Sequence, residues 1–389
     1  MLSNFEKDIV ELIKCSLSGE TPKIDEAFDF EKAYDFAQER QITPLIYFAA
    51  ADIPRFADTV AVKKFFKSTA DMSYYCLVQN ELINRVSEAF KKNKISHLLL
   101  KGAVIREMYP RLGMRFMTDA DILIKEEEYS KIIPLMTELG FVEKYESDHE
   151  YVWRNGGFSI ELHKRLVPSY NKDYNEYFGD SWKLATIKDE KTCEYKMSIE
   201  DNFVYSFVHY AMHYRNGGIG VKHVIDFYVI MQKNPELDFR YIEKELEKLQ
   251  LLKFWQNTKK LLDVWFCGAE ATELTDFMTA KIFDSGAFGT AENHVFSEAV
   301  RTSNVGKGIK IKRLVSLIVP PYFAMCQKYR FLRKMPVALP FMWIFRWFHL
   351  LFTPSKIKAR KKELDMLSSD GVNKYQNELD YVGLRFNFD

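Results

Sequence analysis

Two carboxylates stand two residues apart in Asp119-Ala120-Asp121-Ile122-Leu123-Ile124. On a β-strand, side chains alternate between faces, so Asp119 and Asp121 leave one face while Ala120 and Ile122 turn to the core. Like charges held this close repel, which raises the pKa of one of them unless a cation compensates. The pair therefore suits a divalent ion. Hard carboxylate oxygens, with places left for water and phosphate, favour magnesium, with manganese as its substitute. In Phe158-Ser159-Ile160-Glu161-Leu162-His163 the same alternation sets Glu161 and His163 on one face and Ile160 and Leu162 on the other. From a neighbouring strand, Glu161 could complete a cage for an ion that activates an attacking hydroxyl, and could also accept the proton. The plainer alternative is an outward-facing polar pair on an edge strand.

A metal pair of this kind needs something anionic to act on. Gly102 follows the apolar run Ile95-Ser96-His97-Leu98-Leu99-Leu100 and opens a helical stretch, where backbone N–H groups suit a phosphate. Lys101 beside it supplies a point charge. Arg115, four residues before Asp119, is a second cation for phosphate.

Leu100-Lys101-Gly102, Arg115, Asp119-x-Asp121 and Ile160-Glu161-Leu162-His163 together resemble the uncharacterised bacterial nucleotidyltransferase family of the polymerase-β-like superfamily. The superfamily signature is a strand-turn Gly-Gly or Gly-Ser, a D-h-[DE] pair and a third acid on a later strand. The chain resembles a branch with Lys101-Gly102 in place of the small pair and a longer gap to Asp119. The resemblance spans mainly residues 95–165. It implies magnesium-dependent transfer of a nucleoside monophosphate from a nucleoside triphosphate to an acceptor, with release of pyrophosphate. Asp119, Asp121 and Glu161 would be the catalytic metal ligands, and Lys101, Gly102, Arg115 and His163 would hold the nucleotide. The acceptor stays open among a small molecule, a protein and a glycan precursor. Farther along, His209, His213 and Val221-Lys222-His223-Val224-Ile225-Asp226 are similar to a motif of this family's second domain, so Lys222 and Asp226 are expected to face the cleft. Asp226 could equally partner a neighbouring basic residue. His209 and His213, four apart on a helix, lack the glutamate of H-E-x-x-H and read as a packed pair rather than metal ligands.

The elements that must position these residues follow from periodicity. Ser3 and Glu6 form a capping box ahead of Ile9, Val10, Leu12 and Ile13; Thr43-Pro44 starts another helix, and 62–92 is helical without internal Gly or Pro. Strands are expected at 95–100, 119–124, 150–155 and 158–163, the last two joined by Gly156-Gly157, with helices at 103–109 and 126–139. Beyond Asn171 the pattern is helical again, with helices at 202–214, 219–232, 239–252 and 254–266. The fold class is α+β: a small mixed-sheet core at 94–187, an N-terminal helical region at 1–93, a helical domain at 188–299 and a basic amphipathic region at 300–389. Nucleotide and acceptor pockets are expected between the sheet and the helices, and Tyr151, Trp153 and Trp182 are read as core.

Composition supports this organisation. Apolar residues make up 47% and charged residues 28%, a balance that excludes wholesale disorder. Five scattered cysteines without a C-x-x-C argue against a disulfide framework or a cysteine zinc site. The N-terminus lacks the order of a signal peptide, which gives a cytoplasmic expectation. Between Arg301 and Lys362 stand 15 of the 55 Lys and Arg and none of the 54 Asp and Glu, so an acidic body carries a basic segment. Within it, 339–352 is intensely apolar, is interrupted by Arg346 and falls short of the roughly 20 residues of a spanning helix. It suits an interfacial helix on an anionic membrane surface, the alternative being a helix docked on the acidic body. RNA following the basic segment is a less favoured partner. A nucleotide- or partner-binding regulator without catalysis is the alternative function, against which the retention of all three carboxylates stands.

Overall fold

The computed structural model of the chain describes residues 3–169, 171–286, 294–297, 300, 309–351, 353, 357–358, 361, 364–365 and 367–385. Helix α1 (Asn4–Ser18) starts at the expected capping box, where the Ser3 amide donates to Glu6 and the Glu6 amide to Ser3 Oγ, and it buries Ile9, Val10, Leu12 and Ile13. Helices α2 (Phe30–Glu39) and α3 (Thr43–Ala50) follow, the latter with Pro44 in its first turn, where a missing N–H costs nothing. Without Gly or Pro to break it, α4 runs unbroken for 32 residues (Ala61–Lys92). Its N-terminal end packs Ala61 and Phe65 among the other N-terminal helices. Leu82, Ile83, Val86 and Phe90, nearer its C-terminus, lie under the sheet.

The sheet has seven strands: β1 (His97–Leu99), β2 (Asp119–Ile124), β3 (Val142–Glu146), β4 (Glu150–Asn155), β5 (Phe158–His163), β6 (Thr186–Asp189) and β7 (Glu194–Lys196), in the order β3-β4-β5-β2-β1-β7-β6. Pairs β2–β5 and β1–β7 are parallel and the rest antiparallel. One-turn α5 (Gly102–Ile105) links β1 toward β2, and α6 (Tyr129–Glu138) links β2 to β3. Three of these strands depart from the sequence expectation. After the one-turn α7 (Lys172–Asn175), the chain forms the β6–β7 hairpin where helix was expected, so the sheet continues past residue 187. Thr186-Ile187-Lys188-Asp189 and Glu194-Tyr195-Lys196 hold few apolar residues and form a polar edge, which leaves only a faint alternating signal. Strand β3, at the opposite edge, is likewise mostly polar.

Helices α8 (Ile199–Arg215), α9 (Val221–Lys233), α10 (Phe239–Lys248), α11 (Leu252–Phe266) and α12 (Glu273–Asp284) cover the other side of the sheet. Strand alternation sorts the two layers. Ala120, Ile122, Ile160, Leu162, Tyr151 and Trp153 meet α4 and α6 on one face. Leu98, Leu100 and Leu123 join the large core of the N-terminal helices and α8–α12 on the other. The two helical regions that flank the sheet in sequence thus share one core. The last described helix, Ser369–Val382, returns to that core through Val372, Leu379 and Val382. Residues 309–351 instead form helices Ile309–Ile318, Tyr322–Lys328 and Leu339–Leu351, with a small core of their own around Met325, Cys326 and Leu332. Of the basic segment, 301–308 and Lys356, Arg360 and Lys362 lie outside the described residues. Among those described, no helix is long and apolar enough to cross a membrane.

Candidate active site

The sheet register gathers the acids. Parallel pairing sets Asp121 opposite Glu161 and Asp119 opposite Ser159; antiparallel pairing sets Glu150 opposite His163. Since period-two alternation is kept across β2, β5 and β4, Asp119, Asp121, Glu161, His163 and Glu150 all leave the face that looks toward α8 and α9. Ligand atoms of Asp121, Glu161 and His163 lie within 4.8 Å of one another, and so do those of His149, Glu150 and His163. Asp119 lines the same cavity, one step along β2 from those groups.

Asp121 is the hub. Its Oδ1 accepts from Lys101 Nζ at 3.2 Å and from His163 Nε2 at 2.7 Å. Burial alone would lift this carboxyl, but the Lys101 ammonium and the His163 hydrogen bond hold it well below the ordinary carboxylate range. Its neighbours are left less well compensated. Burial, and then the charge of Asp121, push Asp119 up. Glu161 rises to about 7 through burial and the charges of Asp121, Glu150 and Asp119, despite the His163 hydrogen bond. His163, which burial and Lys101 would hold down, is raised to about 9 by its bonds to Asp121 and Glu161, so it is a cation at neutral pH.

Lys101 sits at φ 47°, ψ −120°, a conformation that glycine adopts freely and other residues at a cost of about 1–3 kcal/mol. The turn between β1 and α5 would suit glycine, yet it holds a lysine whose ammonium reaches Asp121. The next position allows no side chain without adjustment: a Cβ on Gly102 would stand 3.1 Å from Met117 Sδ. Because α5 is a single turn, what it offers a phosphate is its first amides rather than a helix dipole.

Opposite this sheet wall stands a wall from α8 and α9. Arg115 and Asp226, both expected at the cleft, close on each other: Arg115 Nε donates to Asp226 Oδ1 at 2.7 Å and Nη2 to Oδ2 at 2.8 Å. Tyr109 adds an O–H bond to Oδ1 at 2.8 Å, and Arg115 Nη1 donates to the Phe116 carbonyl at 2.9 Å. Asp226 thus lines the cleft and also partners a basic residue, both roles open to it from sequence. Lys222 Nζ donates to Gln41 Oε1 at 2.9 Å, and burial together with Arg115 lowers its pKa to about 8. His209 and His213 face each other with Nε2 atoms 3.0 Å apart. Burial first, then Lys101, depress both, His213 to about 4, so they are neutral.

Between the walls lies a cavity of about 570 Å³. Its lining includes Lys101, Gly102, Arg115, Asp119, Asp121, Glu161, His163, Lys222 and Asp226, which were named from sequence, and also His149, Glu150, Tyr205 and His294, which were not. The signal for Glu150 lay in the Gly156-Gly157 hairpin, whose two-residue loop pairs Asn155 with Phe158 and therefore Glu150 with His163. Tyr205 is fixed by long-range packing: its hydroxyl donates to the Leu166 carbonyl at 3.1 Å and its ring lies 5.6 Å from Lys101 Nζ. Tyr151 and Trp153 are buried core, as expected, and Trp182 is half-buried.

The donor set fits a magnesium or manganese ion. Two carboxyls, on Asp119 and Glu161, are held above their ordinary pKa by burial and then by neighbouring negative charge, and a cation bound beside them would offset both. His163 Nδ1 and Ser206 Oγ are buried in the cavity wall without a protein hydrogen-bond partner, as expected where a ligand or water belongs.

Residues 26–267 match the model of a family described as uncharacterised nucleotidyltransferase. Among curated proteins there is no significant match. Among solved structures the chain is similar to the solution structure of antibiotic-resistance factor ANT(2'')-Ia. Identity is 14% over 48% of this chain and 94% of that one, with a TM-score of 0.32.

Proposed function

The chain belongs to the uncharacterised nucleotidyltransferase family, and from that premise we propose that it transfers a nucleoside monophosphate from a nucleoside triphosphate to an acceptor, releasing pyrophosphate. The observation that carries this reading is the convergence of Asp119, Asp121 and Glu161 from two parallel strands on one cavity that also presents Lys101, Arg115 and Lys222. When bound between those carboxylates, magnesium or manganese supplies Lewis-acid polarisation of the phosphate and lowers the pKa of the attacking hydroxyl. The chain's own residues do the rest. Lys101 and Lys222 hold phosphate oxygens as point charges, and Gly102 lets the backbone come close. Arg115 lines the phosphate side of the cavity, and Asp226 and Tyr109 keep its guanidinium in place. His163 fixes the orientation of Asp121 through the 2.7 Å bond. Glu161, a carboxylate beside that ion, is suited to take the proton of the acceptor hydroxyl.

The acceptor is a small molecule, a protein or a glycan precursor. The place of work is cytoplasmic, with the segment 301–362 meeting an anionic partner. The test is incubation with each labelled nucleoside triphosphate, magnesium or manganese, and cell extract. Transfer of label with pyrophosphate release, lost on chelation of the metal, is expected. Nucleotide binding without transfer under any of these conditions would instead favour the regulator.

A further inference from the structure

Helix Leu339–Leu351 is apolar but for Arg346 and His349, and its two faces have different fates. Leu339, Met342 and Trp343 turn inward onto Met325, Cys326 and Leu332. The inner side is fastened as well: Trp343 Nε1 donates to the Pro320 carbonyl at 2.9 Å, Arg346 Nη1 to that of Leu317 at 2.7 Å and Trp347 Nε1 to that of Ile318 at 2.6 Å. The outer face carries Phe341, Ile344, Phe345 and Phe348 at helical spacing, exposed by 73%, 45%, 59% and 60%. Of the 24 exposed large apolar residues among those described, 14 lie between 314 and 357, a concentration unlike the scattered exposure of an ordinary soluble surface.

We infer that this segment docks in the plane of an anionic phospholipid bilayer, with the Phe341–Phe345–Phe348 face sunk among the acyl chains. The charge around it selects this occupant. Fifteen cations and no acid between Arg301 and Lys362 match anionic headgroups, while the aromatic stripe needs an apolar volume that a polynucleotide or an acidic protein surface does not offer. At 13 residues the helix is about 20 Å long, against the roughly 30 Å of a hydrocarbon core, so it lies along the surface. Leu314, Val315 and Ile318 are likewise exposed on helix Ile309–Ile318, to whose C-terminal carbonyls Arg346 and Trp347 are bonded.

The test uses the full chain and vesicles of phosphatidylcholine alone or with phosphatidylglycerol. The chain should sediment with the anionic vesicles and stay in solution with the neutral ones, with weaker binding as salt rises. The double variant Phe345→Glu, Phe348→Glu changes only exposed side chains, so it should unfold at the temperature of the parent and bind at least roughly tenfold more weakly. The inactive Asp121→Asn chain should bind as the parent does, which separates this inference from the transferase reading. Failure to sediment with anionic vesicles at low salt overturns it, as does equal binding by the double variant. Two other outcomes also overturn it: retention by a polynucleotide in place of vesicles, or a discrete oligomer that the double variant dissolves without any vesicle binding.

Discussion

On the sheet wall of the cavity, Asp119, Asp121 and Glu161 share two nearby cations, Lys101 and His163, and two of the three carboxyls remain poorly compensated. On the helix wall, Arg115 and Asp226 satisfy each other through two short hydrogen bonds and the histidines are neutral. Both walls are buried and both are rich in ionisable groups, yet the sheet wall leaves carboxyls raised by burial and neighbouring negative charge, whereas the charge that the helix wall leaves for a ligand is the Lys222 ammonium. Burial alone does not mark an active site; uncompensated burial does. On the proposed reading, the metal and the reacting phosphate sit at the sheet wall, and the helix wall positions the substrate.

Substitutions on the two walls should therefore fail in opposite ways. Asp121→Asn is expected to keep the fold and reduce nucleotidyl transfer on the order of a thousandfold or more, since a metal ligand contributes several kcal/mol to the transition state. Single-turnover assays beside thermal melts would separate the two effects, and equal turnover by the variant would erase the distinction between the walls. Asp226→Ala should do the reverse first. Stranding the Arg115 guanidinium in a buried site is expected to cost about 3–5 kcal/mol of stability, read by urea unfolding. A variant as stable as the parent would mean that Arg115 is held for the ligand alone.

Lys101→Met removes a charge from the sheet wall while preserving bulk. Nucleotide binding should weaken roughly 10- to 100-fold, the range for a lost charge-assisted hydrogen bond, as measured by calorimetry. The smallest effect concerns pH. Because the folded pKa of Glu161 stands above its ordinary value of 4.5, the metal-free chain binds that proton more tightly when folded. The stability it contributes is full below pH 4.5 and fades as pH rises toward about 7. Magnesium should offset that loss, so the melting temperature should rise by a few degrees more on adding magnesium at about pH 8 than at about pH 5. An equal increment at both would place the ion elsewhere.

Much of the sheet wall was legible in the sequence because its geometry is local. Alternation alone sets Asp119 with Asp121 and Glu161 with His163, and the Gly156-Gly157 turn fixes the strand that follows. The helix wall was less so. Arg115 and Asp226 are 111 residues apart, and nothing local announces that they will meet. The Gln41–Lys222 bond spans 181 residues and depends on the N-terminal helices sharing a core with α9. The polar strand β3 at one edge and the polar β6–β7 hairpin that ends the sheet at the other give little sequence signal, because solvated strands lack the apolar alternation that makes a strand visible.

The most direct test of the account is titration with paramagnetic manganese in the presence of a non-hydrolysable nucleoside triphosphate analogue. Parent chain, Asp121→Asn and Glu161→Gln would be followed side by side by electron paramagnetic resonance. The parent should bind the ion more tightly with nucleotide than without, and both variants should lose that gain while still unfolding cooperatively, as thermal melts would show. Undiminished manganese binding by both variants would contradict the assignment of these strands as the metal site.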